Sequence, residues 1–532
     1  MRIVQVAAEF SPIAKAGGLG EVVLGLSREL TRSPELDVEV IIPKYDFIDL
    51  SKISNLKMEV PDFKCVEKGS KHPNAMWSGK CEECNLHLLE ARHHAGYFNR
   101  GKIYGCEDDI SRFIYFSRAV LEYLKLKKQP IDILHLHDWH VALCAPLVRD
   151  LFANDLQVKA ILFTIHNSEY QGKCTFADLD VVGLKGAHYL VKEKLQDDDP
   201  AYPKGINLMK GGIVYADAVS AVSPTFAKEL LVDKGFHLES TFRKYRSKLT
   251  GILNGIDSKL WDPATDAYLT ARYSAGSSLQ TVQAAKQTNK NTLQKKFNLS
   301  DKKPWLGSIT RLVPQKGPEL IEEAMDQTLQ MGGVFFLLGS SPDLKLQTHF
   351  EDLKAQYGKS HEVSLQLIYD DALSHQLYSA LDFLIVPSHF EPCGLSQLIA
   401  MRYGTIPIVC ATGGLKDTVF DCEDPKTPIE LRNGFLFPKP TKESMNPALK
   451  RAFEFFHKDP GTFQSLIRRA MQRDSSWKKP AQEYMKLYQK IRTVKVIAAE
   501  QVQTAPKSET IACARKAFPK VVRKILDFFG VG

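Results

Sequence analysis

The sequence predicts an α/β protein of two domains, each an alternation of strands and helices. Three observations predict it. The 532 residues are too many for one hydrophobic core. Short apolar runs of strand length alternate with helix-period segments along both halves. Residues 386–415, VPSHFEPCGLSQLIAMRYGTIPIVCATGGL, spell a full strand–loop–helix–strand–loop–helix unit. Such units place ligands at the carboxyl ends of their strands. Here the first loop carries Glu391 and the second is Thr412, Gly413 and Gly414. A loop of small residues opening a helix offers N–H groups to an anion. A carboxylate beside an anion loop suits a substrate that is both sugar and phosphate.

The totals exclude several classes. The chain is 44% hydrophobic and 25% charged, an ordinary composition for a water-soluble protein. Net charge is +8, and residues 493–532 hold seven Lys/Arg against three Asp/Glu, so 7 − 3 = +4 lies there. The +4 left for the rest argues against a nucleic-acid partner. No apolar run approaches a membrane span. MRIVQVAAEF at the start reads as a first core strand rather than a signal peptide. Ten cysteines without a disulfide-type pattern fit a reducing compartment, so a cytoplasmic location is expected.

Taken in order, Ile3–Ala8 is a buried strand, and Leu19–Leu30 is an amphipathic helix. Lys15, Gly17 and Gly18 lie in the loop between them. A plain strand-to-helix turn accounts for the glycines; Lys15 beside them adds a reason to expect phosphate. Neither GxxxxGK[ST] nor GxGxxG fits. Val38–Pro43 is the second strand, and residues 60–106 are strand-rich. Within them Cys81, Cys84, His87, His93 and His94 invite a zinc reading, but one CxxC without a second pair is weak, and strand and loop residues are preferred.

Ser111–Leu126 is a helix, and Asp132–His137 a strand ending in HDWH, residues 137–140. Asp138 there is a site residue, a helix N-cap, or both. Lys159–Ile165 is a strand ending in His166 and Asn167. Three strands that end in polar or charged residues point to one cleft. A helix at Lys210–Ala216, a strand at Ala218–Ala221 and a helix from Thr225 follow. Residues 251–257, GILNGID, are a strand and a tight turn, and the hinge between domains is placed there. Residues 265–300 read as polar and helical with little core.

Trp305–Thr310 opens the second α/β domain, followed by Arg311 and Lys316. Two cations at a strand end can neutralise a diphosphate, or can be solvated surface charges; the fragment alone leaves both open. Strands follow at Val334–Leu338, at Leu365–Ile368 (ending in Tyr369), at Phe383–Val386, at Ile406–Val409 and at Gly434–Phe437. Helices then run to Arg492.

These motifs together resemble the bacterial glycogen synthases and plant starch synthases, ADP-glucose-using retaining glycosyltransferases of the B fold. KAGGL (15–19), HDWH (137–140), TIHN (164–167), NGID (254–257), RLVPQKG (311–317), PSHFEPCGL (387–395), YGTIP (403–407) and TGGL (412–415) match in order, covering residue 1 to about 492. The resemblance implies two Rossmann-like, doubly wound domains facing across a cleft. Residues 1–255 would be the acceptor-side domain of starch synthase catalytic type, and 256–475 the nucleotide-sugar domain. Residues 476–492 would be a helix crossing back to the first domain, and 493–532 a basic linker and tail.

It also implies transfer of glucose from ADP-glucose to the non-reducing O4 end of an α-1,4-glucan such as glycogen, with retention and without cofactor or metal. By the resemblance, Glu391, Arg311, Lys316 and His166 are catalytic. Arg311 and Lys316 would hold the diphosphate, with the Lys15–Gly18 loop and the amides of Thr412, Gly413 and Gly414 completing the anion site. Glu391 would bind the glucose hydroxyls. His166, Asp138 and Asn254 would contact the sugar from the first domain. Tyr369 would stack on adenine, and Cys393, Gly394 and Leu395 would line the donor site. Glu21 stands where the family usually has Asp, and Ala16 where it usually has Thr. Ile399 stands where related transferases carry a second Glu. Cys410-Ala411 replaces frequent basic residues, which predicts weaker donor binding.

Two other functions are open to this pattern. One is a retaining transferase of the same fold using UDP-glucose; the KxGGL loop and single-Glu pattern favour the first reading over it. The other is a non-catalytic glucan-binding scaffold, which would have lost Lys15, Arg311, Lys316 or Glu391; all are present. Residues 511–529 read as an amphipathic helix, with Phe518, Val521, Val522, Ile525 and Phe529 on one side and Lys520, Arg523 and Lys524 on the other. Docking on its own protein is preferred over a protein partner or an anionic membrane.

Overall fold

The computed structural model describes residues 1–300, 302–458 and 460–504, with 494–504 described by backbone alone. The tail helix expected at 511–529 lies outside the described residues. The first half contains strands β1 (Arg2–Val6), β2 (Asp37–Pro43), β3 (Ser54–Glu67), β4 (Ser70–Cys81), β5 (Cys84–Ala91), β6 (Ile131–His137), β7 (Val158–Ile165), β8 (Lys173–Cys174), β9 (Ile206–Asn207), β10 (Ala218–Ala221) and β11 (Leu249–Gly251). The second contains β12 (Trp305–Ile309), β13 (Val334–Leu338), β14 (Val363–Gln366), β15 (Phe383–Val386), β16 (Ile406–Cys410) and β17 (Phe435–Phe437).

A nine-stranded sheet runs β11-β10-β7-β6-β1-β2-β5-β4-β3, and a six-stranded sheet runs β14-β13-β12-β15-β16-β17. The six-stranded sheet is parallel throughout. In the larger sheet only β4 pairs antiparallel, with β3 and β5. The parallel strands are near-continuous apolar runs such as AILFTI in β7, because helices cover both faces. In each sheet the chain winds one way and then the other from a central strand. The reversals fall between β1 and β6 and between β12 and β15. Crevices open at such reversals, at the carboxyl ends of the strands. The loops there are the ones that carry Lys15, Asp138, Arg311, Lys316 and Glu391.

Each sheet has its own apolar core. A third cluster lies on one face of the first sheet, across β10, β7, β6, β1 and β2. There Trp477, Ala481, Tyr484 and Tyr488 of helix Lys478–Thr504 and its lead-in pack on Ile3, Val22, Leu26, Ile133 and Leu162. Gly25 makes this possible, since a Cβ there would lie 2.0 Å from the Trp477 indole nitrogen. The chain thus passes between the sheets twice, side by side, with the Ile256 N–H donating to the Ser475 carbonyl at 2.8 Å. Arg28, itself buried, ties the first crossing to the first domain through a 2.5 Å ion pair with Asp257.

Three expectations are corrected. Residues 265–278 form turns, and the helix is Leu279–Phe297. It is not poor in core contacts: it buries Val282, Ala285 and Leu293 together with Lys286 and Lys290. The Lys286 ammonium reaches the Ser379, Leu381 and Tyr403 carbonyls at 2.9–3.2 Å, so a lysine that reads as polar surface is an internal brace. Of residues 251–257, expected as a strand and a tight turn, only Gly251 belongs to a strand, β11; the rest is irregular crossing. Among the described residues no helix is long and apolar enough to cross a membrane.

Candidate active site

The cleft is built from strand ends of both sheets. On the first side, β1 runs into Glu9 and the Lys15–Gly18 loop. Lys15 Nζ lies 2.5 Å from Glu21 Oε1. Burial works against the lysine's charge, but Glu21 overrides it, with Tyr369 and Asp371 of the second half adding to the effect, so the ammonium is held well above its ordinary range. Glu21, one methylene longer than the family's usual Asp, thus reaches Lys15 with one oxygen; its other oxygen is buried without a hydrogen-bond partner among the described residues.

Asp138 follows β6 with φ 66° and ψ 177°, a region natural only to glycine. Its side chain makes no capping hydrogen bond to helix Trp139–Ala142, so the N-cap role falls away. Burial pushes its carboxyl up to about 8, against the pull of the His166 and Asn167 backbone N–H groups. Its Oδ1, the Asn254 Oδ1 and the His140 Nδ1 are also buried and unpartnered among the described residues. Natural proteins seldom leave such atoms unpaired except where a ligand supplies the partner.

His166, at the end of β7, has Nε2 3.1 Å from His137 Nδ1. His137 bonds Gln5, which donates to Ser27 on helix Gly18–Thr31. Burial depresses His166 to about 3, so the ring is neutral.

On the second side, Glu391 is buried and accepts from Lys316 Nζ at 2.5 Å and Ser388 Oγ at 3.0 Å. Arg311 is exposed. Burial raises the Glu169 carboxyl of the first side, and the charge of Arg311 opposes it. Tyr369 is 77% exposed, a free ring at the cleft edge, because β14 ends at Gln366 instead of running up to it. Cys393 is buried with its thiol pushed up to about 12; the Asn254 backbone donates to it from the first side. Gly394 and Leu395 lead into helix Ser396–Arg402. A Cβ on Gly18 would lie 3.6 Å from Leu395 Cδ1, so the two loops meet across the cleft.

Several of the backbone amides expected to meet an anion are engaged within the chain. Ala16 and Gly17 N–H groups donate to Glu9 Oε2 at 2.7 and 2.9 Å. The Thr412, Gly413 and Gly414 amides donate to the Cys410 carbonyl, the Glu229 carboxylate and the Glu391 carbonyl. These amides are satisfied within the chain, by backbone carbonyls, by the nearby Glu9 and, at Gly413, by the distant Glu229. The cationic side chains remain for an anion. Sequence reasoning missed Glu9 and Glu229. Glu9 directly follows the expected Ile3–Ala8 strand, as Asp138 and His166 follow theirs, so the same rule would have found it; Glu229 has no local signal.

The zinc reading does not assemble. Cys81 and Cys84 face each other across a hairpin, with burial raising both thiols, to about 11 and about 12. His93 and His94 gather instead with His72. Both His93 nitrogens are engaged, Nε2 with Glu67 at 2.8 Å and Nδ1 with the Ala95 N–H at 3.1 Å.

With this geometry in hand, comparison with known proteins is direct. Residues 2–244 match the starch synthase catalytic domain family and residues 289–471 the glycosyl transferases group 1 family. The chain is 42% identical over 504 residues to a glycogen synthase of Protochlamydia amoebophila, covering 92% of this chain and 99% of that one. It is 39% identical over 497 residues to glycogen synthase 1 of Nitrosococcus oceani, covering 93% and 100%. Among solved structures, the catalytic domain of starch synthase IV from Arabidopsis thaliana, bound to ADP and acarbose, superposes with a TM-score of 0.88 at 42% identity, covering 92% of this chain and 99% of that chain. A sucrose-phosphate synthase from Thermosynechococcus elongatus, at 19% identity and a TM-score of 0.57, shares the fold alone. The two facing α/β units are a glycosyltransferase B fold, and the chain belongs to the glycogen and starch synthase family.

Proposed function

We propose that the protein is a glycogen synthase, transferring glucose from ADP-glucose to the non-reducing O4 of an α-1,4-glucan with retention. The observation that carries this reading is the pairing of Lys316 with buried Glu391, opposite unpartnered polar atoms of Asp138, Asn254 and Glu21. One side suits a diphosphate, the other a polyhydroxyl sugar. The relatives above carry the same activity in their names, and one was solved with ADP and a sugar-like ligand.

When the glycosidic bond to ADP breaks, negative charge grows on the phosphate oxygen and positive charge on the sugar's C1. Arg311 and Lys316 stabilise the first as fixed cations at the end of β12. Lys316 carries three N–H bonds and Glu391 engages one, so others remain for phosphate. Neutral His166 gives or takes a hydrogen bond without adding a cation beside C1. The departing phosphate accepts the acceptor's O4 proton on the same face, which retains configuration. Tyr369 offers an exposed ring for adenine. The cysteines among the described residues are free, in accord with a cytoplasmic location.

The test is transfer of labelled glucose to glycogen from ADP-glucose and UDP-glucose, each with and without EDTA. Transfer from ADP-glucose, unaffected by EDTA, is expected. Better use of UDP-glucose would assign the donor differently, and no transfer from either would overturn the reading.

A further inference from the structure

The short helix Pro224–Glu229 belongs to the first domain, yet four of its flanking and internal side chains, Ser223, Thr225, Phe226 and Glu229, reach the second. Ser223 Oγ donates to the Pro392 carbonyl at 2.6 Å. Thr225 donates to the Asp417 carboxylate through its N–H at 2.8 Å and its Oγ1 at 2.7 Å. Glu229 accepts the Gly413 N–H at 3.0 and 3.2 Å. Phe226 and Phe236 pack on Phe390 at ring distances of 5.4 Å each, and Phe390 and Cys393 are counted in the first domain's core, not the second's.

All of these contacts converge on Glu391. Phe390 and Pro392 are its chain neighbours, and both are held by the first domain. Behind it, the Gly414 N–H donates to the Glu391 carbonyl at 3.1 Å, and a Cβ on Gly413 would lie 1.9 Å from that carbonyl, at a φ of +45°. Displacing the Gly413 turn therefore displaces the backbone that carries the Glu391 carboxylate.

We propose that Glu229, with Ser223 and Thr225, is a positioning residue for glucosyl transfer: it clasps the 412–414 turn and thereby seats the loop that carries Glu391. This rests on the function proposed above. Glu229 works as a hydrogen-bond acceptor for an amide, so glutamine can replace it and alanine cannot. A carboxylate that instead competed with the donor's phosphates for Gly413 would weaken donor binding.

The two ideas separate in Glu229→Ala and Glu229→Gln, checked for folding by circular dichroism. A misplacement of about 1 Å costs about 100-fold in rate. Glu229→Ala is expected to lower kcat about 10- to 100-fold with KM for ADP-glucose changed by less than about three-fold, and Glu229→Gln to restore kcat to within about three-fold. Unchanged kcat in Glu229→Ala, or tighter ADP binding by calorimetry, would overturn the clasp. If Glu229→Ala does not fold, Asp417→Asn, which weakens the Thr225 contact from the other side, is expected to lower kcat with the same KM pattern, and an unchanged kcat overturns the clasp. Hydrogen exchange decides independently of activity: protection of residues 388–395 falls in Glu229→Ala and holds in Glu229→Gln. If the unaltered protein transfers no glucose, the proposed function falls while exchange still judges the clasp; equal protection in both variants would end it.

Discussion

Asp138 shows how this site is held at a cost. An L-residue at φ 66° and ψ 177° carries about 1–3 kcal/mol of backbone strain. Replacing it with glycine relieves that strain, offset by the extra freedom of glycine in the unfolded chain, about 0.5–1 kcal/mol. Asp138→Gly is therefore expected to unfold at higher urea concentration than the parent while losing glucosyl transfer. Its carboxyl, ordinarily near 3.8 and raised to about 8 by burial, adds a pH dependence. Between those values the folded protein holds a proton that the unfolded chain has released, so stability falls as pH rises through that window. Asp138→Asn should flatten this slope in urea titrations between pH 4 and pH 8. Lys316 belongs to the same scale. Removing one preorganised donor from a growing anion costs about 10²- to 10³-fold in kcat. Lys316→Ala is expected to show that loss in single-turnover transfer with its fold intact, because only its partner Glu391, already bonded to Ser388, loses a contact. Asp138, His166, Lys316 and Glu391 are all readable as polar residues at strand ends. Glu229 is not, because nothing in helix periodicity marks the residue that will touch a glycine 184 positions later.

Among the elements, the strand–helix units are legible because each strand's apolar run and each helix's period are local properties. Their ends drift by a residue or two where capping and pairing decide them, as at β14, which begins at Val363 and stops at Gln366. The antiparallel β3–β4–β5 extension and the Leu279–Phe297 helix are less legible, the latter because its buried face includes lysines. Helix Gly18–Thr31 illustrates the packing limit. Gly25 lies in its interior, where glycine is unfavourable for helix formation. Its place is explained by Trp477, whose ring occupies the space a side chain would need. Overpacking a well-filled interface costs about 1–3 kcal/mol. Gly25→Val is expected to lower the urea midpoint and shift the Trp477 fluorescence to the red, as the indole is pushed toward water.

At the scale of the whole molecule, the last helix closes the first domain's core from the far end of the chain. Trp477, Tyr484, Tyr488 and Ile491 are nearly fully buried there, and burying one large apolar side chain contributes about 1.5–3 kcal/mol. Their combined loss approaches the entire stability of an ordinary domain, about 5–15 kcal/mol. A chain ending at residue 476 is expected to be recovered only as aggregate, measured by size-exclusion chromatography of the refolded protein, since Ile3, Val22, Leu26 and Leu162 would face water. A monomeric, cooperatively unfolding truncate would refute that account. The sequence by itself determined the alternation of strands and helices, the polar strand ends and, through ordered motifs, the family; these depend on local periodicity and on residue type at a loop. Only the tertiary structure decided which anion-binding amides are already satisfied, which acids satisfy them, and that the Glu391 loop is seated by the opposite domain. Those outcomes depend on through-space contacts between residues far apart in the chain, and no local pattern encodes where such residues meet.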